Sequence, residues 1–354
     1  MFLQRLRTLL MESNKLVKSK KIYIITAGLI GLAALLSGIC IGSVNLHVSD
    51  IWQVVCYKLF GAEPDPSFNA SIVPIVWEIR IPRVLCAFLV GGALSVSGAV
   101  IQAILQNPLA SSYTLGVSSG ASFGAALVIV TGITGTFLNV FLLPVTGFAF
   151  GLMTILLVLF IASRLDVGLK NHTIILFGMV FSLFVNALMT MISALNKSHM
   201  QRLILWQMGS FSGRRWIHVA ILLGFSLLCT VAIAFFAREL DIMSFGDEEA
   251  LAVGVDVKKN KIILLILSSL LTGVSVCFVG VIGFVDLTVP HIVRRVFGAS
   301  HRLVIPMSML IGGSFMTIAD LFARTILAPE EIPVGAITAL VGAPFFLWVY
   351  FVKK

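Results

Sequence analysis

A chain of 354 residues with 58% hydrophobic side chains, 12% charged ones and a mean hydropathy of +1.05 carries more apolar surface than a soluble globule can hide. This composition specifies an integral membrane protein. The net charge of +9 does not indicate a nucleic-acid partner, because the basic residues lie in short clusters between apolar runs rather than along a polar domain.

Residues 1–21 carry Arg5, Arg7, Lys15, Lys18, Lys20 and Lys21 against Glu12, with leucines interleaved. This is a cytoplasmic segment, either an interfacial helix held by anionic lipid or a disordered tail. The apolar run from Ile22 to Val44 is too long for the core of a secretory signal and has no small-x-small cleavage site, so it reads as a retained first span. The longest polar excursion, residues 45–76, has Lys58 as its single basic residue and is expected outside.

Two arginines then bracket an Ile-Pro pair (Arg80, Pro82, Arg83), and an uncharged stretch runs from Val84 to Leu105 before Gln106-Asn107-Pro108 breaks it. Past that turn Gly116, Gly120 and Gly124 recur every fourth residue. A helix here would present a groove free of side chains, against which another helix packs closely. Further apolar runs follow at about 113–131, 137–162, 172–194, 217–236, 260–282, 284–297, 303–326 and 333–352, which makes ten in all. The run 284–297, with Pro290 inside it, is too short to span alone and should form a short helix packed among others. With ten crossings and both termini cytoplasmic, 17 of the 25 Lys and Arg residues fall inside, as the positive-inside rule requires. No internal repeat is visible, although four-helix units at 84–194 and 260–352, if equivalent, would be inverted relative to each other.

The motifs that would give the chain chemistry of its own are missing. There is no GxxxxGK[ST], GxGxxG, HExxH or CxxC, so nothing cradles a nucleotide phosphate or holds a catalytic metal. The six histidines are scattered, and the five cysteines sit mostly within apolar runs as small hydrophobes.

Four constellations remain. In the loop of residues 238–258, Asp247, Glu248 and Glu249 follow Gly246 and suit the first turn of a short helix that ends at Gly254. Such a helix, lying across the inner surface, is either a docking element or a solvated connector. Ser182, Asn186, Thr190 and Ser193 form one polar stripe on an otherwise apolar helix, which faces a pathway or another helix. Asp320 and Arg324, four apart, can pair on one face. Arg80, Arg83 and Arg324 point to one outer surface, where they suit capture of carboxylates on a docking protein or anchoring to lipid headgroups.

Several segments resemble the FecCD-type permease family, membrane subunits of binding-protein-dependent ABC importers for iron-siderophores, haem and vitamin B12. They are RIPR at 80–83, GGALSVSGAVIQAILQNPLA at 91–110, LGVSSGA at 115–121, FGDEEALAVGV at 245–255, GFVDLTVPHIVR at 283–294, and ADLFAR followed by EIPVGAITALVGAPFFLWVY within 319–350. The resemblance implies an all-α fold of about ten transmembrane helices, a single permease domain over 22–354 after the N-terminal segment. It further implies a dimer with a second permease copy or a paralogue, resting on two ATPase subunits that bind ATP and Mg, with no cofactor on this chain. An extracytoplasmic binding protein would dock on Arg80, Arg83 and Arg324. Gly246, Asp247, Glu248, Ala250, Leu251 and Gly254 would couple to the ATPase, and Ser182, Asn186, Thr190, Gly335 and Gly342 would border the pathway or dimer interface. Where the family usually reads GFxGLxxPH this chain has Asp286, expected near the outer mouth either as a substrate contact or as a turn residue. The implied function is ferric siderophore import across the cytoplasmic membrane, with haem or cobalamin as other cargoes. A stand-alone secondary transporter or channel using Asp320 and Asp286 is the reading from another class.

Overall fold

The computed structural model describes residues 2–42, 46–62, 70–132, 138–166 and 168–351, of which 2–20, 138–140 and 348–351 are described by backbone alone. Helix α1 (Phe2–Cys40) is continuous, so the basic segment 1–21 runs into the first span instead of forming a helix of its own. The side chains of residues 1–20 lie outside the described residues. The excursion that follows contains α2 (Val48–Phe60), started by a hydrogen bond from the His47 N–H to Asp50 and closed by the left-handed Gly61. Glu63 and Asp65 lie outside the described residues. Helix α3 (Ile72–Pro74), a π-helical stretch Ile75–Arg80 and α4 (Ile81–Ile104) form one uninterrupted helical column.

The remaining helices are α5 (Val117–Thr131), α6 (Leu138–Leu165), α7 (Asn171–Leu195), α8 (Met200–Gln207), α9 (Trp216–Phe235), α10 (Ala237–Met243), α11 (Asp247–Ala252), α12 (Val257–Val279), α13 (Val285–Phe297), α14 (His301–Thr325) and α15 (Val334–Phe351). Each expected apolar run contains a helix, and among the described residues seven helices are long and apolar enough to cross a membrane unaided. The 13 residues of α13 reach only about 20 Å. One boundary differs in a telling way. The run expected from 113 becomes helical only at Val117, because residues 105–116 form a turn in which Gln106 and Gly116 take positive φ.

The column α4 is the hub. It packs against α9, α12, α13 and α14, so that although strongly apolar it is enclosed by protein, whereas α1, α6, α7 and α9 leave broad apolar faces for lipid. Small residues allow this enclosure. A Cβ on Gly91 would stand 2.2 Å from the Gly312 carbonyl, and one on Gly312 would stand 2.0 Å from Ser95 Oγ. Two helix backbones in contact replace lipid with continuous van der Waals packing. The arginines open α4 at one end of the bundle. At its other end Gln106 donates to Met243 O at 2.9 Å, which places the acidic loop of α10 and α11 there.

Candidate functional site

At the arginine end the three guanidiniums are turned inward. Arg80 Nη1 donates to the carbonyls of Ile39 and Cys40 at 2.9 and 2.8 Å, satisfying orphan acceptors at the C-terminus of α1. Arg83 grips Asp320 with Nε and Nη2, the latter at 2.8 Å, and reaches Glu331 with Nη1 at 2.5 Å. Arg324 donates to Gly38 O and stands 3.7 Å from Asp320. The expected Asp320–Arg324 pair is therefore the looser half of a network whose tight partner is Arg83. The three arginines, expected to be offered at the surface, are instead turned inward, Arg80 and Arg83 buried and Arg324 half-buried, and each is hydrogen-bonded within the chain, because an unpartnered cation in an apolar bundle is expensive. They still line a recess of about 310 Å³ with Gly42, Glu331 and Pro329.

At the opposite end the acidic loop divides into an anchor and an exposed face. Asp247 pairs with Lys261, whose ammonium is wholly buried and also donates to Leu169 O at 3.1 Å. Lys261 is thus a buried residue of α12. Ala250 is likewise enclosed. Of these two expected coupling residues, Ala250 is enclosed and Asp247, half-buried, ties the helix to α12. Glu248, Glu249 and Leu251 are exposed, together with Phe245 (83%) and Val253 (67%). Gly246 precedes α11, and Gly254, with φ of 87°, turns the chain so that its N–H reaches Leu251 O.

Between the ends lie two adjoining cavities. The larger, of about 470 Å³, is lined by Ser118, Ser119 and Ser122 of α5 and by Asn186, Thr190 and Ser193 of α7. The second, of about 400 Å³, is lined by Gly335, Phe284, Ser111 and Met208, and the two share Tyr113, Gln207 and Val281. The polar stripe of α7 therefore splits. Asn186, Thr190 and Ser193 face the cavity, while the Ser182 hydroxyl donates to Tyr113 O at 3.0 Å as an interhelical bond. Gly335 lets α15 approach the end of α8, donating to Met208 O at 3.1 Å, and Gly342 sits against the Phe284 side chain. The glycine series after the turn also splits. Gly116 is the left-handed N-cap of α5 and not part of its face, whereas Gly120 and Gly124 press on α6, where a Cβ would stand 2.9 Å from Phe150 O and 2.6 Å from Thr146 O.

Asp286, expected near the outer mouth, does not stand at the arginine end of the bundle. It begins α13 against Gly98, about 25 Å along α4 from Ile81 by helical rise, toward the acidic-loop end. There it is buried, accepting from the Ser112 hydroxyl at 2.9 Å and the Ser112 N–H at 3.3 Å. Its own carbonyl accepts from Gln102 at 3.2 Å. Through Ser112, Asp286 ties the turn of residues 105–116 to α13. A fourth recess, of about 260 Å³ beside the acidic loop, is lined by Arg294, Gln106 and His301. Neither Asp286 nor Asp320 lines any of these four spaces, as an ion-coupling carboxylate would. Among the described residues no group of three or more metal-ligating side chains comes together.

The sequence profile of the FecCD transport family matches residues 29–352. The chain is 40% identical to an uncharacterized ABC transporter permease protein, YvrB, of Bacillus subtilis, over 92% of this chain and 91% of that one. It is 34% identical to the hemin transport system permease protein HmuU of Yersinia pestis, over 87% and 89% of the two chains. Among solved structures, an inward-facing conformation of a putative metal-chelate type ABC transporter superposes with a TM-score of 0.81 at 28% identity, over 93% of this chain and 99% of that one. With a matching profile over nearly its whole length, an enclosed α4 column and a bundle of membrane-length helices, the chain belongs to the FecCD transport family and is a membrane-embedded permease subunit of an ABC importer.

Proposed function

We propose that this permease carries ferric siderophores inward across the cytoplasmic membrane, paired with a second copy or a paralogue and driven by ATP and Mg on two separate ATPase subunits. The observation that carries the cargo is the pair of cavities. At about 470 and 400 Å³, with hydroxyl and amide linings, they have room for an organic chelate and not merely for a bare ion. The haemin permease among the relatives and the metal-chelate transporter of similar fold support the same class of cargo. The exposed face of Phe245, Glu248, Glu249, Leu251 and Val253 supports ATPase docking at that end, which is then cytoplasmic. The recess lined by Arg80, Arg83 and Arg324 supports arrival of a binding protein at the other end, which is then extracytoplasmic.

Protein reconstituted into liposomes with its ATPase and binding protein should import a ferric siderophore only when ATP is supplied, with haemin and cobalamin as the competing cargoes. Transport without any ATPase would overturn the proposal.

A further inference from the structure

The cavity between α5, α7 and α8 is polar without being charged. Ser118, Ser119, Ser122, Asn186, Thr190 and Ser193 line it, and among the described residues no Lys, Arg, His, Asp or Glu lines either it or the adjoining cavity. The Ser118 side chain is 1% exposed, and its Oγ has no hydrogen-bond partner among the described residues, although the side chain borders this space. Other buried hydroxyls, Ser226, Thr230, Ser268, Ser269 and Ser308, are likewise unpaired, but of these hydroxyls Ser118 is the one that borders any of the four spaces, where a visiting group can complete the pairing. Ser118 and Ser119 also lie in the first turn of the 15-residue α5, whose N-terminus carries roughly half a positive charge and N–H groups without intrahelical acceptors. That end is a donor surface for oxygen. Half a charge holds carbonyl or hydroxamate oxygens, but it does not replace the hydration of a dianion or trianion, which at this depth requires a full counter-cation.

We propose that the cargo passing this cavity is an oxygen-rich metal chelate of zero net charge, held by serine hydroxyls and the α5 N-terminus, and that multiply anionic chelates are refused for want of a cation. The proposal rests on the importer reading and narrows its cargo. Iron(III) held by three hydroxamates is neutral, whereas iron(III) held by three catecholates carries three negative charges.

The test is uptake of radiolabelled iron by cells expressing the permease with its ATPase and binding protein, offered as a neutral ferric trihydroxamate or as a ferric tris-catecholate. The neutral chelate should enter at least tenfold faster. In Asn186→Lys or Thr190→Lys, each at a cavity-lining position of α7 that protein atoms do not enclose, the ratio of tris-catecholate to trihydroxamate uptake should rise at least tenfold. Equal or faster wild-type uptake of the tris-catecholate, or an unchanged ratio in both lysine variants at normal membrane levels, would overturn the charge inference and leave the importer reading standing. ATP-dependent uptake of neither chelate would remove the siderophore reading and this inference with it.

Discussion

Single residues decide what the charged groups of this bundle do. Arg83 and Asp320 form a buried pair, and removing one member strands the other in a low-dielectric interior, which typically costs about 3–5 kcal/mol. Arg83→Met should therefore lower the denaturation midpoint of the detergent-purified protein substantially, and adding Asp320→Leu should restore much of the loss. A single variant as stable as wild type would mean the pair contributes little. Arg83→Glu separates the structural role from docking: the pairing seen here predicts loss of folded protein from the membrane. Normal membrane levels with abolished uptake would instead assign Arg83 to the binding protein. The spacing of Arg80, Arg83, Asp320 and Arg324 was legible in the sequence. Their partners were not, since Glu331 lies 248 residues beyond Arg83, and Gly38, Ile39 and Cys40 offer only backbone carbonyls that no side-chain pattern announces.

At the scale of elements, small residues and one short helix carry the argument. The Gly91–Gly312 contact lets α4 and α14 touch, so Gly91→Ala, whose Cβ would stand 2.2 Å from a backbone oxygen, should prevent accumulation of folded protein, as judged by gel filtration. Gly28 has open space around it, and Gly28→Ala should be tolerated or slightly stabilising, because alanine favours a helix by roughly 0.5–1 kcal/mol over glycine. Equal behaviour of the two variants would contradict this packing. The α4 contact has its sequence signal in Gly91, Ser95 and Gly98, small residues at spacings of four and three on one helical face. Helix α11 shows a similar division. Phe245→Ala combined with Leu251→Ser should abolish co-purification of the ATPase while leaving the melting temperature unchanged, whereas Asp247→Asn, which strands the buried Lys261, should lower it. Retained ATPase in the first variant would move the docking surface elsewhere. The acidic first turn and the glycine stop of α11 were readable from residue type. Which side faced solvent depended on Lys261 approaching from α12.

For the whole molecule, the proposed orientation places Phe245 and Ala328 on opposite sides of the membrane. With Cys40 and Cys56 replaced by Ser, a cysteine at 328 should react with an impermeant maleimide in intact cells, and one at 245 only in inverted vesicles. The reverse pattern would invert the topology. Composition and the order of apolar runs by themselves determined that this chain is a multi-pass helical membrane protein, and local residue types marked most helix ends, because apolar length, capping residues and glycine or proline breaks act over a few neighbouring positions. Tertiary structure alone decided that α4 is enclosed and not lipid-facing, that Asp286 lies toward the acidic-loop end on Ser112, that the arginines are paired inward, and that the α7 stripe meets the α5 serines around an uncharged cavity. Each of these depends on segments distant in sequence coming into contact, and apolar periodicity cannot tell lipid from a neighbouring helix, since both are equally apolar surroundings.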